Sequence, residues 1–290
     1  MGAGVMTTKE RRMKQDMLFR WCCRIVTFMA LGVLLVLLSH IFSQGFKWLS
    51  WDFINSYPSR FADQAGIKSA VWGSIWVISF TAIFSVPFGV ATAFFLEEYS
   101  NSNSKFVRLL QINIANLAGM PSIIYGLLGL TLFARGIGLG GSVLTGSLTL
   151  SLLILPVIVI ASQEAIKAVP NSIRYGAYAM GARKWQVIVG QVLPAALPGI
   201  MTGVILSLSR AIGETAPLII IGALSYVAFT PLGPFDDFTV LPVQIYNWAG
   251  RPQEEFHEIA SAGIIVLLAV LFTMNLVAIM IRQKFQKYRM

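Results

Sequence analysis

Six long apolar runs, separated by short polar segments, account for most of the chain. They fall at 25–42, 71–95, about 111–133, about 144–162, about 197–227 and 259–281. Crossing the hydrocarbon core of a bilayer takes roughly 20 mainly apolar residues as a helix, and each run is near that length or above it. The third is the least uniform, with glycine and proline inside it. The pattern predicts an all-α polytopic membrane protein with six transmembrane helices and both termini on the same side.

Composition agrees with the pattern. Of 290 residues, 56% are hydrophobic and only 12% charged, whereas soluble domains carry about 25% charged residues. The net charge of +9 raises nucleic acid as a partner, but the charges form no basic stripe, and their placement fits a membrane topology better. With the N-terminus in the cytoplasm, 16 of the 22 Lys and Arg fall in inside segments, five fall outside, and Arg210 is left within a span. That asymmetry is the positive-inside bias. The predicted organisation is a basic cytoplasmic tail over 1–24, a six-helix permease domain over 25–281 and a cytoplasmic tail over 282–290. No cleavage site follows the first run, so it is read as a retained span. The adjacent Cys22 and Cys23 suit neither a disulfide nor a metal site, and His40 and His257 are far apart in sequence.

The outer loops, 45–70 and 228–258, are rich in Trp and Phe. Two readings stand: they anchor span ends at the interface, or they dock a partner. The inner segment 163–191 reads QEAIKAVPNSIRYGAYAMGARKWQVIVGQ. Pro170 and Gly181 break it into short helical pieces, and Tyr175, Tyr178, Met180 and Trp185 recur at helical spacing. It reads either as a helix across the cytoplasmic mouth with a face for another protein, or as an amphipathic helix on lipid. Glu97 and Glu98, at the inner end of the second span, read as interfacial or partner contacts.

The stretch LSLSRAIGETAPLIII, 206–221, carries the main candidate chemistry. Arg210 and Glu214 are four residues apart, on one face of a helix. An unpaired charge in an apolar setting is costly, so the pair either fixes helix packing or serves a solute path. Pro217 removes a backbone donor and crowds the carbonyl of Gly213, and Gly213 makes the same turn permissive, which together predict a kinked or loosened helix beside the two charges. A guanidinium remains protonated and presents a planar fork to an oxyanion; Glu214 would hold it and offset its charge. Ser207, Ser209 and Thr215 are nearby candidate hydroxyl donors. In AGMPSIIYGLLGL, 118–130, Pro121 predicts a kink in the third span, while Gly119, Gly126 and Gly129 permit close helix contact. Ser122 and Tyr125 there are read as packing residues rather than path residues.

No phosphate-binding GxxxxGK[ST] loop and no convincing nucleophile or metal constellation occurs, so the chain is not expected to be an enzyme or to hydrolyse ATP. A transport subunit, an anion channel or secondary carrier, and a non-transport sensor stand as the classes to separate.

Several strings resemble PstA-type permease subunits of bacterial phosphate ABC importers: FLEEYS, NLAGMPSIIYGLLGL, AVPNSIRYGAYAMGARKW followed by VLPAALPGIMTG, SRAIGETAPL, and the outer WDFINSYPSR. The family's cytoplasmic signature, EAA-x3-G-x9-IxLP, is met at Gly181, Leu193 and Pro194; Tyr175 and Gly176 replace the first two residues of its triad, Ala177 matches the third, and Gln191 replaces the isoleucine. The resemblance implies a type I ABC importer permease fold in the bacterial inner membrane. It implies a coupling segment comprising Arg174, Tyr175, Gly176, Ala177, Met180, Gly181, Ala182, Arg183, Lys184 and Trp185. It implies a PstC-like second permease, two copies of a PstB-like cytoplasmic ATPase that holds ATP and Mg, and a PstS-like phosphate-binding protein outside, with no cofactor in this chain. Arg210 would be the arginine tied to phosphate passage. Another oxyanion, molybdate or sulfate, stands as the alternative substrate.

Overall fold

The computed structural model describes residues 8–100, 104–223 and 226–287. Residues 1–7 and 288–290 of the predicted tails, and Leu224 and Ser225 of the fifth predicted span, lie outside the described residues. The described chain is built from helices: α1 (Thr8–Gly45), α2 (Trp51–Asn55), α3 (Lys68–Phe94), α4 (Lys105–Ala118), α5 (Ser122–Leu128), α6 (Val143–Lys167), α7 (Asn171–Ala179), α8 (Lys184–Val187), α9 (Leu193–Ile212), α10 (Ala216–Ile220), α11 (Leu241–Ala249) and α12 (Glu254–Lys287). π-helical segments Phe95–Tyr99, Gly129–Gly136 and Ile188–Val192 extend α3, extend α5 and join α8 to α9. Five helical stretches are long and apolar enough to span a membrane, and a sixth span results if α4 and α5 are taken together.

Helix α6 is the centre of the bundle, packed between α3 and α9. Apolar side chains gain little from leaving lipid for protein, so close packing and interhelical hydrogen bonds must hold such helices together. Both are present. The buried stripe of α3 is made of small residues, among them Gly73, Ser74, Thr81, Ser85, Gly89 and Ala93. Ser147 and Ser151 of α6 donate to the carbonyls of Val77 and Thr81 on α3, each at 3.2 Å. On the other side Gly199 and Gly203 of α9 admit Ala165 and Ala161 of α6: a Cβ on either glycine would come within 2.7 and 2.4 Å of those methyl groups.

Helices α1 and α12 pack against each other at the edge. The strongest apolar window of each contains no buried residue, as befits helices that face lipid or another subunit. They cross at Gly45, where a Cβ would meet the backbone of Ala262 at 2.6 Å. Beyond that crossing Glu258 accepts from Lys47 Nζ and, at 2.9 Å, from Trp48 Nε1.

Two predicted spans differ from the structure. The third is two helices bent by 108° at Gly119–Pro121. Pro121 is unsuited to the interior of a continuing helix, and the Tyr125 hydroxyl closes the bend by donating to the Leu117 carbonyl at 2.8 Å. The fifth begins at Lys184 rather than near 197 and ends at Ile212 rather than continuing to 227. Pro194 directly follows the π-helical Ile188–Val192 without ending the helix, and Trp185 and Lys184 belong to the same continuous helical rod.

The loops predicted to lie outside are folded into the bundle rather than lying loose. Phe238 is fully buried against Gly146, the Thr239 carbonyl sits where a Cβ of Gly73 would be, and Leu241 N–H donates to Ser74 Oγ at 2.9 Å. Phe53, Phe256 and Trp248 are buried together with Ile67, whereas Trp51, Phe61, Leu232 and Phe235 remain exposed. The loop aromatics therefore divide between core and surface.

Candidate functional site: a charged break in the bundle and a joint at one mouth

Helix α9 ends one residue before Gly213, and α10 starts at Ala216. Glu214 and Thr215 occupy the break between them, so the pair spans a helix end rather than an unbroken face. Arg210 Nε is 3.3 Å from Glu214 Oε1; the arginine side chain is 55% exposed and the glutamate 16%. Among the described residues this is the one hydrogen bond of the guanidinium, so its two terminal nitrogens are available as donors. The pair is bracketed by apolar chain on both sides, with Arg210 exposed at the surface of this subunit and Glu214 half-buried.

The break has the predicted cause in part. Pro217 sits in the first turn of α10, the position that tolerates a missing N–H. Gly213 has φ −84, a conformation open to any residue, so its permissiveness is not what ends α9.

The other predicted path residues do not gather around Arg210. Ser207 is buried and donates to the Gly203 carbonyl at 2.9 Å. Ser209 Oγ lies 2.8 Å from the Ile205 carbonyl and 2.6 Å from Asn275 Oδ1 on α12. Thr215 is the N-cap of α10, without a side-chain capping bond. A second α9–α12 contact joins Thr202 to Arg282, whose Nη1 donates at 3.0 Å. Both contacts are seven residues apart on each helix and run antiparallel. Asn275 was not identified from sequence, and Arg282 was assigned to the tail; inter-helix register carries no local signal.

The glycine-proline string packs directly on the break. A Cβ at Gly126 would come within 2.7 Å of Pro217 Cα and 3.1 Å of Ile220 Cβ, and one at Gly129 within 2.0 Å of Thr149 Oγ1. Tyr125 is buried, as expected of a packing residue.

At the other end of the bundle, α7 is a short helix closed by Gly181, whose φ of +83 puts it in the left-handed region. Glycine reaches that conformation without a Cβ clash. The Gly181 N–H donates to the Tyr178 carbonyl at 2.9 Å, and the Ala182 N–H to the Ala177 carbonyl at 3.2 Å. Tyr175, Gly176, Tyr178, Met180 and Trp185 are exposed, with Met180 at 83%. Arg183 caps the next helix by donating its N–H to Gln186 Oε1 at 2.7 Å. These side chains form an exposed, largely apolar cluster, the surface that either a docked protein or a lipid contact would cover.

Three members of the predicted coupling set point elsewhere. Ala177 is buried, Ala182 packs against the core, and Arg174 turns inward. The Arg174 Nε and Nη2 donate to Glu98 Oε1 at 3.0 and 2.8 Å, and its Nη groups also reach the carbonyls of Val169 and Ile166 at 2.6 and 3.0 Å. Glu97 accepts from Gln163 Nε2 at 2.7 Å and lies 3.5 Å from Lys167 Nζ. The two glutamates are therefore internal ties, not the surface contacts expected from sequence.

A bundle of membrane-length helices with a broken helix at a charged pair, and a short presented helix at one mouth, defines a transport permease. Residues 85–287 match the family described as binding-protein-dependent transport system inner membrane component, and the chain belongs to that family, whose members are transport components rather than enzymes. It is 34% identical over 236 residues to the phosphate transport system permease protein PstA 1 of Mycobacterium tuberculosis, covering 81% of this chain and 76% of that one. It is 29% identical to the probable ABC transporter permease protein YqgI of Bacillus subtilis, covering 90% and 91%. Among solved structures, a bacterial ABC transporter that imports the acidic polysaccharide alginate superposes with a TM-score of 0.65 at 17% identity, covering 94% and 99%. The MetNI methionine ABC transporter superposes with a TM-score of 0.57 at 17% identity, covering 76% and 94%. At such identities these structures establish the fold alone.

Proposed function

We propose that the chain is the membrane-spanning permease subunit of an ATP-driven importer that carries inorganic phosphate into the cytoplasm. The observation that carries this reading is Arg210: a permanently charged fork, held on one side by Glu214 and open on the other, at a break between α9 and α10. The phosphate permeases among the relatives supply the substrate. Guanidinium nitrogens make strong charge-assisted bonds to phosphate oxygens. Partial neutralisation by Glu214 keeps the site from holding the anion too firmly for release.

A second, PstC-like permease would cover the exposed side of Arg210. A PstB-like ATPase would dock on Tyr175, Met180 and Trp185, and a PstS-like binding protein on the outer loops; ATP and Mg would reside in the ATPase. The positive-inside bias supports cytoplasmic termini.

The test is uptake of labelled phosphate by cells or vesicles holding the partner proteins with and without this chain, with sulfate and molybdate in parallel. Phosphate uptake is expected to need both this chain and ATP hydrolysis. Uptake of sulfate or molybdate instead would reassign the substrate, and uptake that needs the chain but not ATP would make it a channel or secondary carrier.

A further inference from the structure

The π-helical end of α3 holds three different elements with three consecutive residues. Glu97 binds α6 through Gln163 and Lys167, Glu98 binds α7 through Arg174, and the ring of Tyr99 lies under Lys184 Nζ of α8 at 5.1 Å from its centroid. Widening of the last turn re-aims successive side chains, which is why such segments recur where a helix serves a special purpose. The tightest of the three ties is the middle one. Arg174 and Glu98 are 14% and 9% exposed, and the arginine also binds the carbonyls of Ile166, in the last turn of α6, and Val169, just beyond it. By contrast, the covalent link from α7 to α8 runs through Gly181, where a Cβ would meet nothing within 4 Å.

We propose that the Glu98–Arg174 pair is the mechanical joint through which displacement of α7 reaches α3, so that α3 moves with α7 rather than following α8 and α9. The inference rests on the importer reading given above. Arg174 and Glu98 are positioning residues: neither touches substrate or the exposed face offered to the ATPase. A buried charged pair is a poor source of net stability but a specific one, and it ties α7 to one defined place on α3. Because α3 lies against α6 along its length, a push received at Glu98 is delivered to the centre of the bundle.

The test uses the full complex in vesicles, with Cys22 and Cys23 replaced and a single reporter cysteine at Phe88 on the exposed side of α3, or at Val189 beside α8. In the parent complex ATP is expected to change the labelling rate of both reporters. In Glu98→Gln the Val189 reporter is expected to respond as before and the Phe88 reporter to respond about tenfold less, within the usual range of a lost coupling. Phosphate taken up per ATP hydrolysed should fall with it, while bound ATPase is unchanged. Equal responses at both reporters, or uptake and hydrolysis falling in proportion, would overturn the joint. Should Glu98→Gln fail to assemble, Glu98→Asp, which keeps the charge and shortens the reach, decides by the same two readouts. The reporters do not depend on the substrate: absence of phosphate uptake by the parent complex would remove the importer reading while the labelling still judges the joint.

Discussion

Gly126 and Pro217 are in direct backbone contact, with a Cβ at 126 placed 2.7 Å from Pro217 Cα and 3.0 Å from its carbonyl oxygen. Two strings 91 positions apart in sequence therefore form one unit: the helix after the Pro121 bend supports the helix after the Arg210 break. The neighbours are backbone atoms and cannot rotate away. Gly126→Ala should destabilise the subunit by about 1–3 kcal/mol, the usual cost of overpacking, and Gly126→Leu should prevent assembly. Thermal melting of the purified complex in detergent checks both.

Arg210 is expected to act on the anion through nitrogens that Glu214 leaves unpaired. Arg210→Lys keeps a charge but loses the fork. Losing one charge-assisted hydrogen bond of about 1.5–3 kcal/mol should lower transport about ten- to hundredfold, with subunit assembly intact. Initial rates of phosphate uptake, beside immunodetection of the complex, measure this. Normal uptake in Arg210→Ala would leave the pair a packing device.

Ser209 and Asn275 are predicted to clasp α9 to α12. Ser209→Ala and Asn275→Leu should each cost about 0.6 kcal/mol, the average for such contacts in membranes, and their effects should be non-additive in a double-mutant cycle. Because the Ser209 hydroxyl is occupied, the apparent KM for phosphate should be nearly unchanged in Ser209→Ala. A large KM change without loss of stability would return Ser209 to the path.

Gly181 stands at φ +83, where an L side chain costs about 1–2 kcal/mol. The space around it is open, so the penalty of Gly181→Ala is conformational and not steric. Asn tolerates that conformation better, and Gly181→Asn should retain more ATP-driven uptake than Gly181→Ala. Equal loss in both would point to a contact with the partner rather than to the turn.

The candidate site was partly legible. Arg210, Glu214 and the break at Pro217 follow from a charged pair and an imino acid in an apolar run, since those costs are local. The exposed Tyr175, Met180 and Trp185 follow from aromatic spacing around Gly181. Glu97 and Glu98 bind Gln163, Lys167 and Arg174 within the subunit, because charges at the end of a span read alike whether they face water or one another. Ser207 and Ser209 were grouped with Arg210 by closeness along the chain, but helical rotation sends their hydroxyls to Gly203 and toward Asn275.

The sequence by itself determined the membrane class, the helical architecture, the charge asymmetry between the two faces and the position of the charged break. Each follows from the cost of placing backbone or charge in hydrocarbon, a cost every residue bears wherever its neighbours lie. Only the tertiary structure decided that the third apolar run folds through 108°, that the fifth starts at Lys184 and stops at Ile212, that Gly126 lies on Pro217, and that Glu98 receives Arg174 across 76 positions. Those outcomes depend on which helices touch and in what register, and small residues, glycines and paired charges become specific only when a particular partner arrives opposite them.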